Sequence, residues 1–328
     1  MKNVAIFGAG RIGSIHATNV AALPGVKLVA VSDPMPAAAD ALASKLGAQV
    51  RTVEAILSDS SIDVVLIGSP TSTHSDLILR AAAAGKQIFC EKPVDLSVPR
   101  AEECQRAVEA AGVACMIGFQ RRFDPTFNAA KERLDRGEIG VAEMLVITSR
   151  DPGAPPVDYI KSSGGIFRDM LIHDFDVFRW IMGDEAASLH ATGSVLTDPA
   201  VGQAGDLDST IVNIRTRSGK LCQINTSRRA AYGYDQRFEV LGSQGLLACG
   251  NHKPTEVVAW GPNGISQDKP EAFFLQRYRD AYRLELEHFF ARLQDGGPFR
   301  TTIADGVAAQ KLSDAAARSA ETGAIVTF

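Results

Sequence analysis

Cysteine is scarce in this 328-residue chain, and the five present (Cys90, Cys104, Cys115, Cys222 and Cys249) form no C-x-x-C pair. Such an odd, scattered set offers neither a disulfide framework nor the ligand spacing of a structural zinc site. The thiols are expected to be reduced and partly buried, as in a cytoplasmic protein. No apolar run approaches the length of a membrane span. The first apolar run starts at Val4, which leaves no room ahead of it for a signal peptide. Basic clusters do not go beyond the pairs Arg121-Arg122 and Arg228-Arg229, and the formal net charge is -4. That balance argues against nucleic acid or an anionic membrane as a partner. What is there is ordinary for a globular protein, 45% hydrophobic and 22% charged residues, in a length that suits two domains with sizeable cores.

The most informative stretch runs from Met1 to Asp33. Val4-Ala5-Ile6-Phe7 is a continuous apolar run of the kind a strand buried on both faces needs. Gly8-Ala9-Gly10-Arg11-Ile12-Gly13 follows at once with the G-x-G-x-x-G spacing. Helical periodicity then extends from Ile12 to Ala22, and a β-rich run from Lys27 to Ser32 is closed by Asp33. Gly8 permits the tight turn, Gly10 lets a pyrophosphate reach the backbone, and Gly13 lets the helix pack on the strand. The diphosphate would then sit on the N–H groups of the helix start, around Arg11 and Ile12. Asp33, about 20 residues past the glycines, is placed for the adenosine ribose hydroxyls. A carboxylate there would repel a 2′-phosphate, which favours NAD over NADP.

Beyond Asp33 the same punctuation recurs. Helices are predicted from about Pro36 to Leu46, Ser75 to Ala84 and Pro99 to Ala111, each followed by glycine and a short strand (Gln49 to Arg51, Gln87 to Cys90, Val113 to Ile117). Val64 to Ile67 is a further buried strand. The alternation predicts a doubly wound parallel α/β sheet over residues 1–120, the dinucleotide-binding domain. Ligands of such sheets bind beyond the carboxyl ends of the strands. That rule selects Gly68-Ser69-Pro70-Thr71-Ser72-Thr73-His74, Glu91-Lys92-Pro93 and Gly118-Phe119-Gln120-Arg121-Arg122-Phe123-Asp124. Ser69, Pro70, His74, Glu91, Lys92 and Gln120 are accordingly expected to face the cofactor.

From about Val141 the pattern changes to alternation, as in Thr210-Ile211-Val212-Asn213-Ile214-Arg215. Strands are predicted at Met144 to Thr148, Ser188 to Val195, Ser209 to Thr216, Lys220 to Thr226, Arg237 to Leu241 and Glu256 to Trp260. Helices are predicted at Ile166 to Met182, Ala272 to Leu293 and Ile303 to about Ala320. Residues 121–328 therefore read as an α+β domain around a mainly antiparallel sheet, with the last helix packing back on the first domain.

Two stretches carry chemistry. Lys92, directly before Pro93, is pushed to extended geometry at the end of a buried strand, which would aim its side chain at the cofactor crevice. The alternative is a surface loop lysine. Asp169 and His173 are four residues apart, so on a helix they share one face. A carboxylate beside an imidazole raises its pKa and fixes its tautomer, which suits a general base. The alternative is a surface pair, with Leu171 and Phe175 facing the core. No third His or Cys has metal-ligand spacing, so no metal is expected. Arg121-Arg122 can clamp a polar substrate or form local salt bridges, and Tyr232 and Tyr234 can wall a pocket or cap a hairpin. His16 reads as structural.

With these residues in place the chain resembles the Gfo/Idh/MocA family of nicotinamide-dependent oxidoreductases over essentially its whole length. The likeness rests on the glycine loop with Asp33, on Glu91-Lys92-Pro93, and on Gly165…Asp169-x-x-x-His173-Asp174. Segments 118–124, Arg150-Asp151-Pro152, Tyr232-Gly233-Tyr234-Asp235 and Gln276-Arg277-Tyr278 resemble members acting on cyclic polyols. The resemblance implies an N-terminal Rossmann domain, an open-faced C-terminal sheet, and NAD-dependent oxidation of a cyclic polyol hydroxyl. It implies His173 as base, Lys92 on the reacting hydroxyl and Asp169 orienting His173, with Arg121, Asp151 and Tyr234 lining the polyol pocket. Dimers or tetramers through the C-terminal sheet are implied too. Gln120 and Asp151 depart from that pattern, standing where such members carry Met and Asn. An aldose dehydrogenase of the same family and an NAD-binding regulator without catalysis are the alternatives.

Overall fold

The computed structural model describes Met1–Phe328. The chain divides into two compact units, Met1–Phe123 with Asp280–Lys311, and Asp124–Arg279 with Leu312–Phe328. The division is not a single cut near residue 120, because a late helical segment returns to the first unit.

The first unit runs β1 (Lys2–Phe7), α1 (Arg11–Ala22), β2 (Val26–Ser32), α2 (Pro36–Leu46), β3 (Gln49–Val50), α3 (Val53–Leu57), β4 (Val64–Ile67), α4 (His74–Ala83), β5 (Gln87–Glu91), α5 (Val98–Ala111) and β6 (Cys115–Gly118). The sheet is parallel throughout, in the order β3-β2-β1-β4-β5-β6. The apolar runs of β1 and β4 are buried on both faces, as an all-parallel sheet between helices requires. The order reverses between β1 and β4, which is the topological switch point where such sheets bind ligands.

The second unit begins with α6 (Pro125–Asp135), β7 (Ala142–Arg150), α7 (Val157–Ser163), α8 (Ile166–Asp169), α9 (Ile172–Met182), β8 (Ala186–Ser194), α10 (Pro199–Gln203) and β9 (Ser209–Thr216). It continues with β10 (Leu221–Ser227), β11 (Asp235–Gly242), β12 (Gly245–Cys249), β13 (Val258–Gly261), β14 (Gly264–Gln267) and α11 (Phe274–Arg277). Next come α12 (Arg279–Asp295), α13 (Ile303–Thr322) and β15 (Val326–Thr327). The large sheet has seven strands in the order β12-β11-β7-β10-β9-β8-β15. In β9, Thr210, Val212, Ile214 and Thr216 are buried while Ile211, Asn213 and Arg215 are exposed, so one face carries the core and the other is open.

Every pairing in that sheet is antiparallel but one: β7 and β10 run parallel, from Met144↔Leu221 to Arg150↔Ser227. Their carboxyl ends therefore lie side by side. β11 starts at the same edge, with Asp235 opposite Arg150. Residues just after β7 and β10, and just before β11, are thereby gathered at one end of the sheet.

Two sequence expectations need correction. The strand near Glu256 to Trp260 lies outside the large sheet, in a separate β13–β14 hairpin. The helix expected over Ile166 to Met182 is two helices, because the Leu171 N–H bonds the Ile166 carbonyl five residues back and widens the turn. The late segment joins the first unit through aromatic packing: Phe289 of α12 stands edge-on to Phe89 at 5.7 Å and Tyr282 edge-on to His16 at 5.7 Å. Only the first part of α13, to Lys311, goes with that unit; its remainder goes with the second. No helix is long and apolar enough to cross a membrane.

Asp208, fully buried, braces the loop before α10. Burial pushes its carboxyl up, but N–H donors from Leu196, Asp198 and Thr197 outweigh that and hold it down, to about 2. A depressed carboxyl stabilises the fold above its unfolded value, and the contribution is lost as pH falls from about 4 to about 2. Asp208→Asn is expected to cost about 2 kcal/mol at neutral pH, with the deficit vanishing in acid. Urea unfolding across that pH range checks it.

Candidate active site

The glycine loop shows a division of labour in its contacts. Gly8 has φ +101, and a Cβ there would lie 2.6 Å from the Ser69 nitrogen. A Cβ on Gly13 would come within 2.0 Å of the Gly8 carbonyl oxygen, so only glycine lets α1 pack this close to β1. Gly10, by contrast, faces open space, with nothing within 4 Å of an added Cβ. It is also the N-cap of α1, whose first turn has no side-chain cap and no acidic residue. That helix start is left to an anion. Asp33 closes the loop: its carboxylate accepts from Ala9 N at 2.6 Å and Met35 N at 2.8 Å.

The segments after β4, β5 and β6 behave differently from one another. Ser69 Oγ bonds Thr73 Oγ1 at 2.6 Å, and Pro70 opens the turn between them. His74 is buried, with Nδ1 2.7 Å from the Pro93 carbonyl and Nε2 2.8 Å from the Ser69 carbonyl. Burial lowers its pKa against the pull of those carbonyls. The ring ties two strand-end loops together. Glu91 is likewise engaged by protein groups: its carboxylate is buried, 2.6 Å from His16 Nε2 and packed on Gly118. Lys92, the next residue, is partly accessible and joins Pro93 through a cis peptide. Gln120 is buried with Oε1 unpartnered. Arg121 and Arg122 are both buried, and Arg122 is anchored on the Arg300 carbonyl at 2.7 Å and Asp305 at 3.0 Å.

The open face at Gly10, the uncapped α1 start, the Asp33 carboxylate and the unpartnered Gln120 oxygen together fit a dinucleotide. Candidate metal ligands lie elsewhere. His16, Glu91 and Glu285 bring ligand atoms within 4.8 Å of one another, all buried. Burial, with the Glu91 charge adding to it, pushes the Glu285 carboxyl well up.

The second unit places a compact polar group at the sheet edge described above. Asp151 follows β7 and its N–H bonds the Ser227 carbonyl at 2.9 Å, while Arg228 follows β10. Arg228, 1% exposed, presents Nη1 and Nη2 to Asp169 Oδ2 at 3.4 Å each, and Nη2 to Asp206 Oδ2 at 3.5 Å. The other Asp169 oxygen accepts from the Tyr159 hydroxyl at 2.8 Å. Burial, then the Asp169 charge, push the Tyr159 pKa up, and the Asp151 charge adds to the rise. Gly165, at φ +84, lets Asp206 come close; its Oδ1 accepts from Ile166 N at 2.9 Å and pins the start of α8. His173 is the second residue of α9, between fully buried Leu171, Ile172 and Phe175, and is itself partly accessible.

Tyr234 is buried edge-on to Phe273 and Tyr278, at ring distances of 6.3 and 6.1 Å. Tyr159 and Arg228 had not been marked as site residues from sequence. Arg228 showed there only as half of a basic pair, and Tyr159 gave no signal.

One unit carries a parallel sheet with an anion-ready glycine loop, the other clusters carboxylates and a histidine, and the two features together suit a dinucleotide-dependent oxidoreductase. Residues 2–119 match the family described as "Oxidoreductase family, NAD-binding Rossmann fold", and residues 131–328 match its C-terminal alpha/beta domain. The chain belongs to the Gfo/Idh/MocA oxidoreductase family. It is 50% identical to the inositol 2-dehydrogenase of Rhizobium meliloti, over 96% of this chain and 95% of that one. Among solved structures it is similar to a myo-inositol dehydrogenase from Corynebacterium glutamicum (TM-score 0.96, 42% identity, covering 100% of this chain and 99% of that one). It is likewise similar to a scyllo-inositol dehydrogenase from Lactobacillus casei with bound NAD(H) and scyllo-inositol (TM-score 0.93, 30% identity, covering 100% and 99%).

Proposed function

We propose that this protein oxidises a hydroxyl of a cyclic polyol, myo-inositol or a stereoisomer, to the inosose with NAD as acceptor. The observation that carries the reading is the Asp151–Tyr159–Asp169–Arg228 group, with His173 four residues past Asp169. A ring of hydroxyl donors suits a site rich in carboxylate acceptors. Bound NAD takes the hydride from the carbinol carbon. In this reading His173 removes the hydroxyl proton, and Lys92 donates a hydrogen bond to the same oxygen as negative charge gathers there. Asp169, Asp151, Arg121 and Tyr234 hold the other hydroxyls. Gly8 to Gly13, Asp33, Ser69, Pro70 and Gln120 hold the dinucleotide.

The reading includes self-association through the open sheet face, as a dimer or tetramer. Leu246, Leu241, Met144 and Leu221 are exposed and sit in register across β12, β11, β7 and β10, one apolar row over four strands. The five cysteines are buried thiols, which supports a cytoplasmic setting.

The test is NADH formation with a panel of inositol isomers and aldopyranoses, run with NAD and NADP in parallel on protein whose mass is measured by light scattering. Turnover of an inositol with NAD, by an oligomer, is expected. Activity with aldoses alone would move the substrate to a sugar and keep the residue roles. NAD binding without any turnover would replace the enzyme reading with a regulatory one.

A further inference from the structure

Asp169 is held from two sides, and the hold is built from residues far apart in the chain. Arg228 sits between two carboxylates, Asp169 and Asp206, with both terminal nitrogens on Asp169 Oδ2. Asp206 is fixed in turn by the Ile166 N–H at the start of α8, the short helix that ends at Asp169. The Tyr159 hydroxyl, on a residue 49% exposed, takes the opposite oxygen. The guanidinium bonds one oxygen of the carboxylate and the phenol the other, so both ends of the group are held. A planar guanidinium suits this better than an ammonium, because its two terminal nitrogens converge on Oδ2 while one of them also faces Asp206; the Tyr159 bond to Oδ1 then sets the rotation of the carboxylate.

We propose that Arg228 is a positioning residue for the reaction, holding the Asp169 carboxylate beside Asp206 and, with Tyr159, presetting its orientation toward polyol hydroxyls. The inference rests on the polyol-dehydrogenase reading. It adds that the buried guanidinium sets substrate affinity without touching substrate. A bridge that only fastens α8 to the sheet would lower stability and leave the kinetics of folded protein alone.

The experiment is steady-state kinetics on the full chain, with the inositol isomer that the wild type turns over best and NAD affinity measured separately by fluorescence. Arg228→Met is expected to raise KM for the polyol by about tenfold or more and leave the NAD Kd unchanged, with Arg228→Lys in between. Tyr159→Phe removes one hydroxyl from a half-exposed residue, so it tests the idea even if Arg228→Met fails to fold. It is expected to raise KM about three- to tenfold. In an Asp169→Asn background, either change should add less than about twofold, since groups acting through one carboxylate are non-additive.

Normal KM and kcat in folded Arg228→Met and Tyr159→Phe would overturn the proposal, and so would full additivity with Asp169→Asn. Failure of the underlying reading looks different: the wild type would turn over no polyol, or Asp169→Asn would be as active as wild type.

Discussion

His173→Ala is expected to lower kcat by about 10²–10⁴-fold, the range lost when a positioned general base is removed. NAD affinity should stay unchanged, because the glycine loop and Asp33 belong to the first unit and His173 to the second. The fold should tolerate the change. Leu171, Ile172 and Phe175 carry the burial that anchors the start of α9, and His173 is partly accessible among them. Alanine is also a good helix former at that position. Turnover and NAD titration on the same preparation check the assignment. Near-normal turnover would remove His173 as the base, whereas lost NAD binding would point to a folding defect. Lys92 shares the reacting oxygen in this reading, so His173→Ala/Lys92→Ala should cost far less than the product of the single losses.

The first unit was legible because its signals are local. Continuous apolar runs, glycine punctuation and the G-x-G-x-x-G spacing each report on a few neighbouring residues, and an added Cβ at Gly8 or Gly13 would meet backbone while one at Gly10 would meet open space. Two residues chosen by the strand-end rule have protein partners that the rule cannot see. His74 and Glu91 follow or end strands, yet carbonyls and His16 claim their polar atoms in the interior. In the second unit the alternating strands were legible and the site was half legible. Asp169 and His173 carried a spacing signal, although the helix that the spacing assumed is broken at Leu171. Arg228 reaches Asp169 across a separation of 59 residues, from the end of a strand whose partner β7 lies far earlier in the chain, with Met144 opposite Leu221. No window of sequence contains that pairing. Helix α6 shows the opposite case: Asp124 caps it and Pro125 opens it, a start signal that is present in the sequence.

The same Asp124 gives the largest expected effect on stability. Its carboxylate caps Phe127 N at 3.0 Å and is bonded by both terminal nitrogens of Arg277, Nη2 to Oδ1 at 3.3 Å. Both side chains are almost wholly buried, at 1% and 0% exposure. The Arg277 guanidinium also lies over the Phe127 and Tyr278 rings, 5.5 and 4.8 Å from their centroids. A buried ion pair contributes little net stability when formed, because desolvation offsets the Coulomb attraction; breaking it is what costs. Arg277→Met keeps most of the volume against the two rings and leaves the Asp124 charge buried without its cation. The expected loss is about 3–5 kcal/mol in urea unfolding. Asp124→Asn/Arg277→Met should recover most of that loss, since asparagine still caps α6 and no charge remains to be desolvated. If Arg277→Met costs less than about 1 kcal/mol, the pair behaves as a solvated surface bridge and its burial is not what holds it. If the double variant is as unstable as the single, the cost comes from lost packing over Phe127 and Tyr278 and not from the stranded carboxylate.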